Sequence, residues 1–193
     1  MDFGTIGRGN RNSEPMNKPA TGKTVRRWAR TGLELALLAS IVFAIYAWRT
    51  QPLLPADGRT AAPGWVLQDL DGETYSSDAL AGRPAVLYFF APWCTVCNAS
   101  AHQLRWFDRW SGEDVALIHI ALDFEDALSV REYARRHRIA GPVLLGDAQT
   151  AASFRVFGFP TYYTLDADGR IASRDFGYTT VLGLWLRSLK AGG

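Results

Sequence analysis

Residues 85–97 read Ala-Val-Leu-Tyr-Phe-Phe-Ala-Pro-Trp-Cys-Thr-Val-Cys, and the last four contain both cysteines of the chain. The apolar run from Ala85 to Phe90 is typical of a buried strand. Two residues separate Cys94 from Cys97, which places both on the first turn of a following helix, close enough to form a disulfide with little backbone movement. A Cys-x-x-Cys pair after a strand is a recognised redox pattern, so this stretch predicts redox chemistry.

Cys94 is the candidate nucleophile and Cys97 the candidate resolving thiol. A helix N-terminus stabilises a thiolate through unpaired backbone N–H groups and the positive end of the helix dipole. We therefore expect Cys94 to be exposed and Cys97 to be more buried. Attack by Cys94 on a partner disulfide would form a mixed disulfide, which Cys97 would then release.

Three other interpretations of the cysteine pair stay open at this point. One is a static structural disulfide, and another is peroxidase-like chemistry, for which we find no activating arginine arrangement. The third is a metal site. Zinc normally needs four ligands, whereas this chain has one cysteine pair and three scattered histidines, but two thiolates suit copper(I). The sequence has no NAD or flavin fingerprint, so we predict no cofactor beyond a redox-active disulfide and no resident metal.

Residues 1–30 are predicted to be a basic, disordered tail. Its charged residues are mostly cations, namely Arg8, Arg11, Lys18, Lys23, Arg26, Arg27 and Arg30 against Asp2 and Glu14. By the positive-inside rule, such a tail stays in the cytoplasm. The formal net charge of the whole chain is only +2, so we predict no nucleic-acid partner.

Residues 31–49 are predicted to be one transmembrane helix. The apolar run from Leu33 to Trp48 is interrupted only by Glu34 and Ser40, and it would span about 24 Å as a helix, short of the roughly 30 Å hydrocarbon core. Flanking arginines that reach the interface make a span feasible. A buried soluble helix and a cleaved signal peptide are the alternatives.

The remaining segments are a linker at residues 50–62, which is rich in proline, and a single domain at residues 63–191. With the tail in the cytoplasm, the domain would lie in the periplasm, an oxidising compartment. We therefore expect a single-pass protein of the inner membrane.

The pattern of the domain predicts alternating strands and helices. An Asp-Gly turn at residues 71–72 indicates a hairpin, and Leu104, Phe107 and Trp106 are expected to face inward from the helix that carries the cysteines. The other predicted segments are strands at 115–122 and 142–145, helices at 125–137 and 149–154, a hairpin at 160–176 and a final helix at 181–189. This order predicts an α/β sandwich with a mixed central sheet.

The motif at residues 89–97 and the later Gly-Phe-Pro-Thr at residues 158–161 resemble the thioredoxin fold. The hairpin at residues 69–74 and the single N-terminal apolar segment resemble the TlpA-like, membrane-anchored thioredoxins. Within that group, residues 87–90 and 177–187 resemble the disulfide oxidoreductases of the copper-sensitivity-suppressor D branch. The resemblance covers roughly residues 62–190.

The resemblance implies a cis bond before Pro160, which would face the cysteine pair. The backbone of Phe159 and Thr161 would then dock an extended client segment, and Trp93 would flank the thiols as a partner-binding surface. It also implies client proteins with thiols or disulfides and a membrane protein as electron donor or acceptor.

Two positions depart from the family pattern. Many thioredoxins have a buried acid where this chain has Tyr88, and many TlpA-like proteins have a glutamate where it has Ser100, so the usual proton acceptor for Cys97 is missing. Water or Tyr88 would have to substitute, although a phenol with a pKa near ~10 is a poor base. Asp123 is a third candidate, but an acid at a strand end is more often a helix cap.

The histidines are assigned no role. We expect His102 on the surface, His119 in the core or at a strand edge, and His137 in a basic helix. The leading hypothesis is a membrane-anchored periplasmic thiol-disulfide oxidoreductase that acts through Cys94 and Cys97. The alternative is a copper(I)-binding or copper(I)-delivery protein that uses the same pair.

Overall fold

The structure, a computed structural model, describes residues 21–50 and 52–192. The chain divides into two units, Met1–Ala44 and Ile45–Gly193. The predictions for residues 1–20, including most of the disordered tail, lie outside the described residues.

Helix α1, Thr21–Thr50, contains the predicted membrane segment and begins within the predicted tail. Apolar side chains along it, such as Leu33, Val42 and Phe43, are exposed. Among the helices of the described residues, none is long and apolar enough to cross a membrane. The prediction of a spanning helix at residues 31–49 is therefore not supported by the described residues.

The domain is an α/β sandwich with a mixed central sheet, as predicted. Within the described ranges, seven strands form one sheet in the order β2-β1-β5-β4-β3-β6-β7. The strands are β1 Val66–Asp69, β2 Thr74–Ser76, β3 Ala85–Phe90, β4 Ala116–Ala121, β5 Val143–Leu145, β6 Thr161–Leu165 and β7 Ile171–Phe176. Strands β3, β4 and β5 run parallel to one another, whereas β6, β7, β1 and β2 join by antiparallel pairs.

Among the described residues, a short 3-10 helix at Ser77–Leu80 and four α-helices accompany the sheet, and the bounds of the four are close to those predicted. The four are α2 Thr95–Ser111, α3 Ala127–His137, α4 Ala148–Ser153 and α5 Val181–Ala191. Helix α3 begins two residues later than predicted because the Asp126 carboxylate accepts a hydrogen bond from the Ser129 N–H at 2.8 Å and caps the helix. The capping acid is thus Asp126, and Asp123 lies in the turn before it.

Strand β3 separates two hydrophobic clusters. Val86, Tyr88 and Phe90 belong to the cluster that also contains both cysteines, while the alternate residues Leu87 and Phe89 belong to the other. This alternation follows from the two-residue repeat of a strand, and it explains why β3 reads as a continuous apolar run.

Helix α2 faces the cysteine cluster with Leu104 and Phe107, which are buried as predicted. The prediction that Trp106 faces inward is wrong, since that side chain is 42% exposed. One residue is about 100° of helical rotation, so Trp106 turns away from the side that buries Phe107. Its indole N–H instead donates to His102 Nε2 at 3.0 Å on the surface.

Candidate active site

Cys94 and Cys97 form a disulfide at the start of α2, with their Cα atoms 5.2 Å apart. Cys94 is the N-cap residue of the helix, and the Cys97 N–H donates to Cys94 Sγ at 3.1 Å. A backbone donor at a helix N-terminus therefore already points at the sulfur of Cys94. A thiolate at that position would gain from the same donor and from the helix dipole.

Both sulfurs are less accessible than expected. Cys94 is only 5% exposed and Cys97 is fully buried. The predicted order, with Cys97 deeper, is confirmed, but the prediction of an exposed Cys94 is wrong for this disulfide form. The reason is tertiary packing, because both cysteines lie in the hydrophobic cluster against which Phe159 packs.

Trp93 directly precedes Cys94 and is 64% exposed. Its indole N–H donates to the Asp123 carbonyl at 2.8 Å, and its ring meets Phe159 edge-on with centroids 5.9 Å apart. Asp123 adopts a left-handed backbone conformation, with φ of 50°, which aspartate tolerates better than most residues. Asp123 therefore approaches the site through its main chain.

The peptide bond between Phe159 and Pro160 is cis, as the resemblance implied. Pro160 and Thr161 are buried where β6 begins, and Thr161 Oγ1 donates to the Gly158 carbonyl at 2.8 Å. The Pro160 carbonyl accepts from the Gly177 N–H at 2.8 Å. The structure thus brings Phe159 to Trp93, and the docking roles assigned to Phe159, Pro160 and Thr161 stay predictions.

Two tyrosine hydroxyls lie beneath Cys97. Tyr133 OH donates to the Cys97 carbonyl at 3.0 Å, Tyr88 OH approaches the same oxygen at 3.4 Å, and the two hydroxyls are 3.2 Å apart. Tyr133 was missed by sequence reasoning. Its position three residues after Val130 in an otherwise charged helix could have predicted that it faces inward. Val130 and Tyr133 are the two buried residues of α3.

The tyrosine hydroxyls stay protonated. Burial raises the pKa of Tyr88 well above 10, and nearby Tyr133 and Tyr162 raise it further. Burial also raises the pKa of Tyr133 to about 12, against a lowering contribution from its hydrogen bond with Tyr88. Tyr88 is therefore an even poorer base than its ordinary pKa suggests.

Two further hydroxyls, Ser100 Oγ and Tyr162 OH, are buried on this side, and within the part of the chain that the structure describes neither makes a hydrogen bond of normal distance and angle. Burial raises the pKa of Tyr162, and the neighbouring Ser100 hydroxyl opposes that rise. At Tyr88 and Ser100, the two positions where the resemblance would place acids, this chain thus has only neutral hydroxyls.

The histidines lie as expected. His119 is buried in β4 with its ring edge-on to Tyr88, and burial lowers its pKa to about 4. His102 is on the surface, and His137 bonds Asn98 Oδ1 at 2.7 Å. Among the described residues, no group of three or more histidine, cysteine, aspartate or glutamate side chains is arranged to hold a metal ion.

Comparison with known proteins identifies the family. A model of the AhpC/TSA family matches residues 59–174, which is more than half of the chain. The chain belongs to the AhpC/TSA family. A similar protein, the thiol-disulfide oxidoreductase ResA of Geobacillus kaustophilus, is 28% identical over 154 residues, covering 77% of this chain and 86% of the relative.

Two further matches extend the comparison. The thioredoxin-like protein YneN of Bacillus subtilis is 24% identical over 81% of this chain and 93% of its own length. The crystal structure of a thiol:disulfide interchange protein from Chlorobium tepidum superposes with a TM-score of 0.63, at 24% identity, and covers 69% of this chain and 97% of that one. This structural likeness confirms the thioredoxin-like fold.

This member of the AhpC/TSA family is a thiol-disulfide oxidoreductase with a Cys-x-x-Cys pair. The relatives named above do not confirm the finer resemblance to TlpA-like proteins or to the copper-sensitivity-suppressor D branch. That placement stays a prediction.

Proposed function

We propose that the protein exchanges disulfides with client proteins in the periplasm through Cys94 and Cys97. The observation that carries this proposal is the hydrogen bond from the Cys97 N–H to Cys94 Sγ at the start of α2. It supplies the anion-stabilising contact that a nucleophilic thiolate needs.

The exchange begins with the reduced pair. The Cys94 thiolate attacks one sulfur of a client disulfide, a bond forms between Cys94 Sγ and that sulfur, and the other client sulfur leaves as a thiolate. Cys97 then loses its proton to water, and its sulfur attacks Cys94 Sγ. This step re-forms the Cys94–Cys97 disulfide and releases the first client sulfur. Two electrons pass from the protein to the client, and the reverse sequence oxidises a client dithiol.

The outer aromatic residues would hold the client. Exposed Trp93 and half-buried Phe159 form an edge-on pair beside the disulfide, and we expect the backbone that flanks the cis bond before Pro160 to align an extended segment. Water is the proton acceptor in this scheme because Tyr88 and Tyr133 have raised pKa values and stay neutral.

We further propose that the chain belongs to the inner membrane, with its N-terminus in the cytoplasm. The cations before the apolar run and the exposed apolar side chains of α1 support this location. A membrane protein would then supply or accept the electrons. A reporter enzyme that is active only outside the cytoplasm, fused after Gly193, tests the topology. Activity of the fusion supports it, and activity only of a cytoplasmic reporter contradicts it.

The central experiment uses the full chain in detergent with a synthetic peptide disulfide. The variant Cys97→Ser should accumulate a mixed disulfide between Cys94 and the peptide, visible by mass spectrometry. The matched variant Cys94→Ser should form no such adduct. A reduced, folded Cys97→Ser protein that forms no adduct would contradict the proposal. Tight retention of copper(I) without any exchange would favour the carrier hypothesis.

A further inference from the structure

A groove lies beside the disulfide at the carboxyl ends of parallel strands β4 and β5. Three loops line it, namely residues 122–124, residues 146–148 and residues 156–159 before the cis bond. Its volume is about 590 Å³, within the usual size of a ligand pocket. We call this feature the acidic groove because Asp123 and Asp147 line it.

The walls of the acidic groove are apolar. Phe124, Val156, Phe157 and Phe159 contribute to them, and Phe157 is exposed although its ring stacks on Phe176 with centroids 4.7 Å apart. Exposed aromatic surface that is held in place by packing is suited to receive an apolar side chain of a partner.

The rim of the acidic groove carries negative charge. Asp123 and Asp147 line it and are exposed, and no basic residue is among its described lining. Hydrogen bonds from the backbone N–H and the hydroxyl of Thr150 lower the pKa of Asp147, so that carboxylate is ionised at neutral pH. Arg155, the closest cation along the chain, precedes Val156 but is not part of the lining.

The acidic groove is continuous with the disulfide region. Phe159 lines the groove and also contacts the Trp93 ring, and the Asp123 carbonyl accepts the Trp93 indole N–H. A polypeptide whose cysteine reacts at Cys94 would therefore place its neighbouring residues over this groove.

We propose that the acidic groove binds client segments that carry an apolar side chain next to a lysine or arginine, close to the reacting cysteine. This inference rests on the proposed function and adds a substrate class to it. Charge complementarity favours such segments, because the carboxylates on the rim attract cations and repel acidic segments. The aromatic walls bind the apolar side chain.

The test compares two short synthetic peptides, each with one cysteine in a mixed disulfide with glutathione. They are identical except for Lys-Phe or Glu-Phe beside the cysteine. The full chain in a non-ionic detergent should exchange the Lys-Phe peptide with a kcat/KM about tenfold higher, and 1 M salt should reduce that preference. Equal kcat/KM values for the two peptides would overturn the proposal, whatever the behaviour of any variant.

Charge-removing variants locate the effect. The double variant Asp123→Asn with Asp147→Asn should lose most of the preference. The fold should persist, because asparagine tolerates the left-handed backbone at position 123 and can cap a helix at position 147. The matched control Glu113→Gln with Asp114→Asn removes two exposed carboxylates just after α2 and should keep the preference. If both double variants keep it, the groove is not the binding site. A chain that exchanges neither peptide overturns the proposed function and this inference with it.

Discussion

On its outer side, the Cys94–Cys97 disulfide borders exposed Trp93 and a groove with two carboxylates on its rim. On its inner side, the neighbours are buried and uncharged, with two tyrosine hydroxyls at the Cys97 carbonyl. The difference teaches that one disulfide can face two unlike environments, although both of its cysteines belong to the same hydrophobic cluster. In the proposed function the outer side recognises the client, and the inner side keeps charge away from Cys97.

The largest expected effect comes from removing the outer nucleophile. The change Cys94→Ala should reduce disulfide exchange to background, because no thiolate remains at the helix N-terminus to attack a client. Exchange is measured as reduction of the peptide disulfide, with a dithiol supplied as the electron donor. Cooperative thermal unfolding should persist because the domain keeps its two hydrophobic clusters. Exchange well above background would place the nucleophile at Cys97 instead.

We expect the protein to lose stability in acid, because His119 is buried on the inner side in its neutral form. Burial lowers the pKa of His119 to about 4 from 6.5, so the unfolded chain binds this proton at a higher pH than the folded one. The free energy of unfolding should therefore fall as the pH drops from about 6.5 to about 4, with His119 accounting for about 3 kcal/mol.

Denaturant unfolding at several pH values measures this dependence. The variant His119→Gln should show a shallower slope than the wild type over that range. An unaltered slope in His119→Gln would mean that this histidine is not buried in its neutral form.

A smaller effect should follow from Tyr133→Phe. Losing the hydroxyl that donates to the Cys97 carbonyl should lower the free energy of unfolding by about 1 kcal/mol. It should also slow the attack of Cys97 on a mixed disulfide by a few-fold, because the first turn of α2 is held less firmly. Single-turnover kinetics of peptide release measure this step.

The matched control for that change is Tyr163→Phe. Tyr163 OH donates to the Phe154 carbonyl at 2.7 Å on the other side of the sheet. Its loss should lower stability by a similar amount and leave peptide release unchanged. Equal slowing in both variants would show that Tyr133 acts only through general stability.

The smallest effect is expected at Ser100. Its buried hydroxyl makes no hydrogen bond of normal geometry within the described residues, so Ser100→Ala should change the free energy of unfolding by less than about 1 kcal/mol. Thermal unfolding of the full chain measures this. A loss of more than about 1 kcal/mol would mean that Ser100 has a bonding partner on the inner side.

Much of the fold could be predicted because its signals are local. The bounds of β3 match the apolar run, and α2 begins directly after the first cysteine. The resemblance implied the cis bond before Pro160, which the structure contains. The exposure of Cys94 was predicted wrongly because it depends on tertiary packing. The direction of Trp106 was predicted wrongly although the helical spacing from Phe107 already turns that side chain outward.

The sequence by itself determined which residues share a strand face or a helical turn, since those relations follow from the repeat of each element. It therefore paired Cys94 with Cys97 and placed both at a helix N-terminus. Only the tertiary structure decided what surrounds them. Tyr133 reaches Cys97 from 36 positions away, and Asp123 reaches Trp93 from 30. Such contacts depend on the order in which strands and helices pack, which spacing along the chain does not encode.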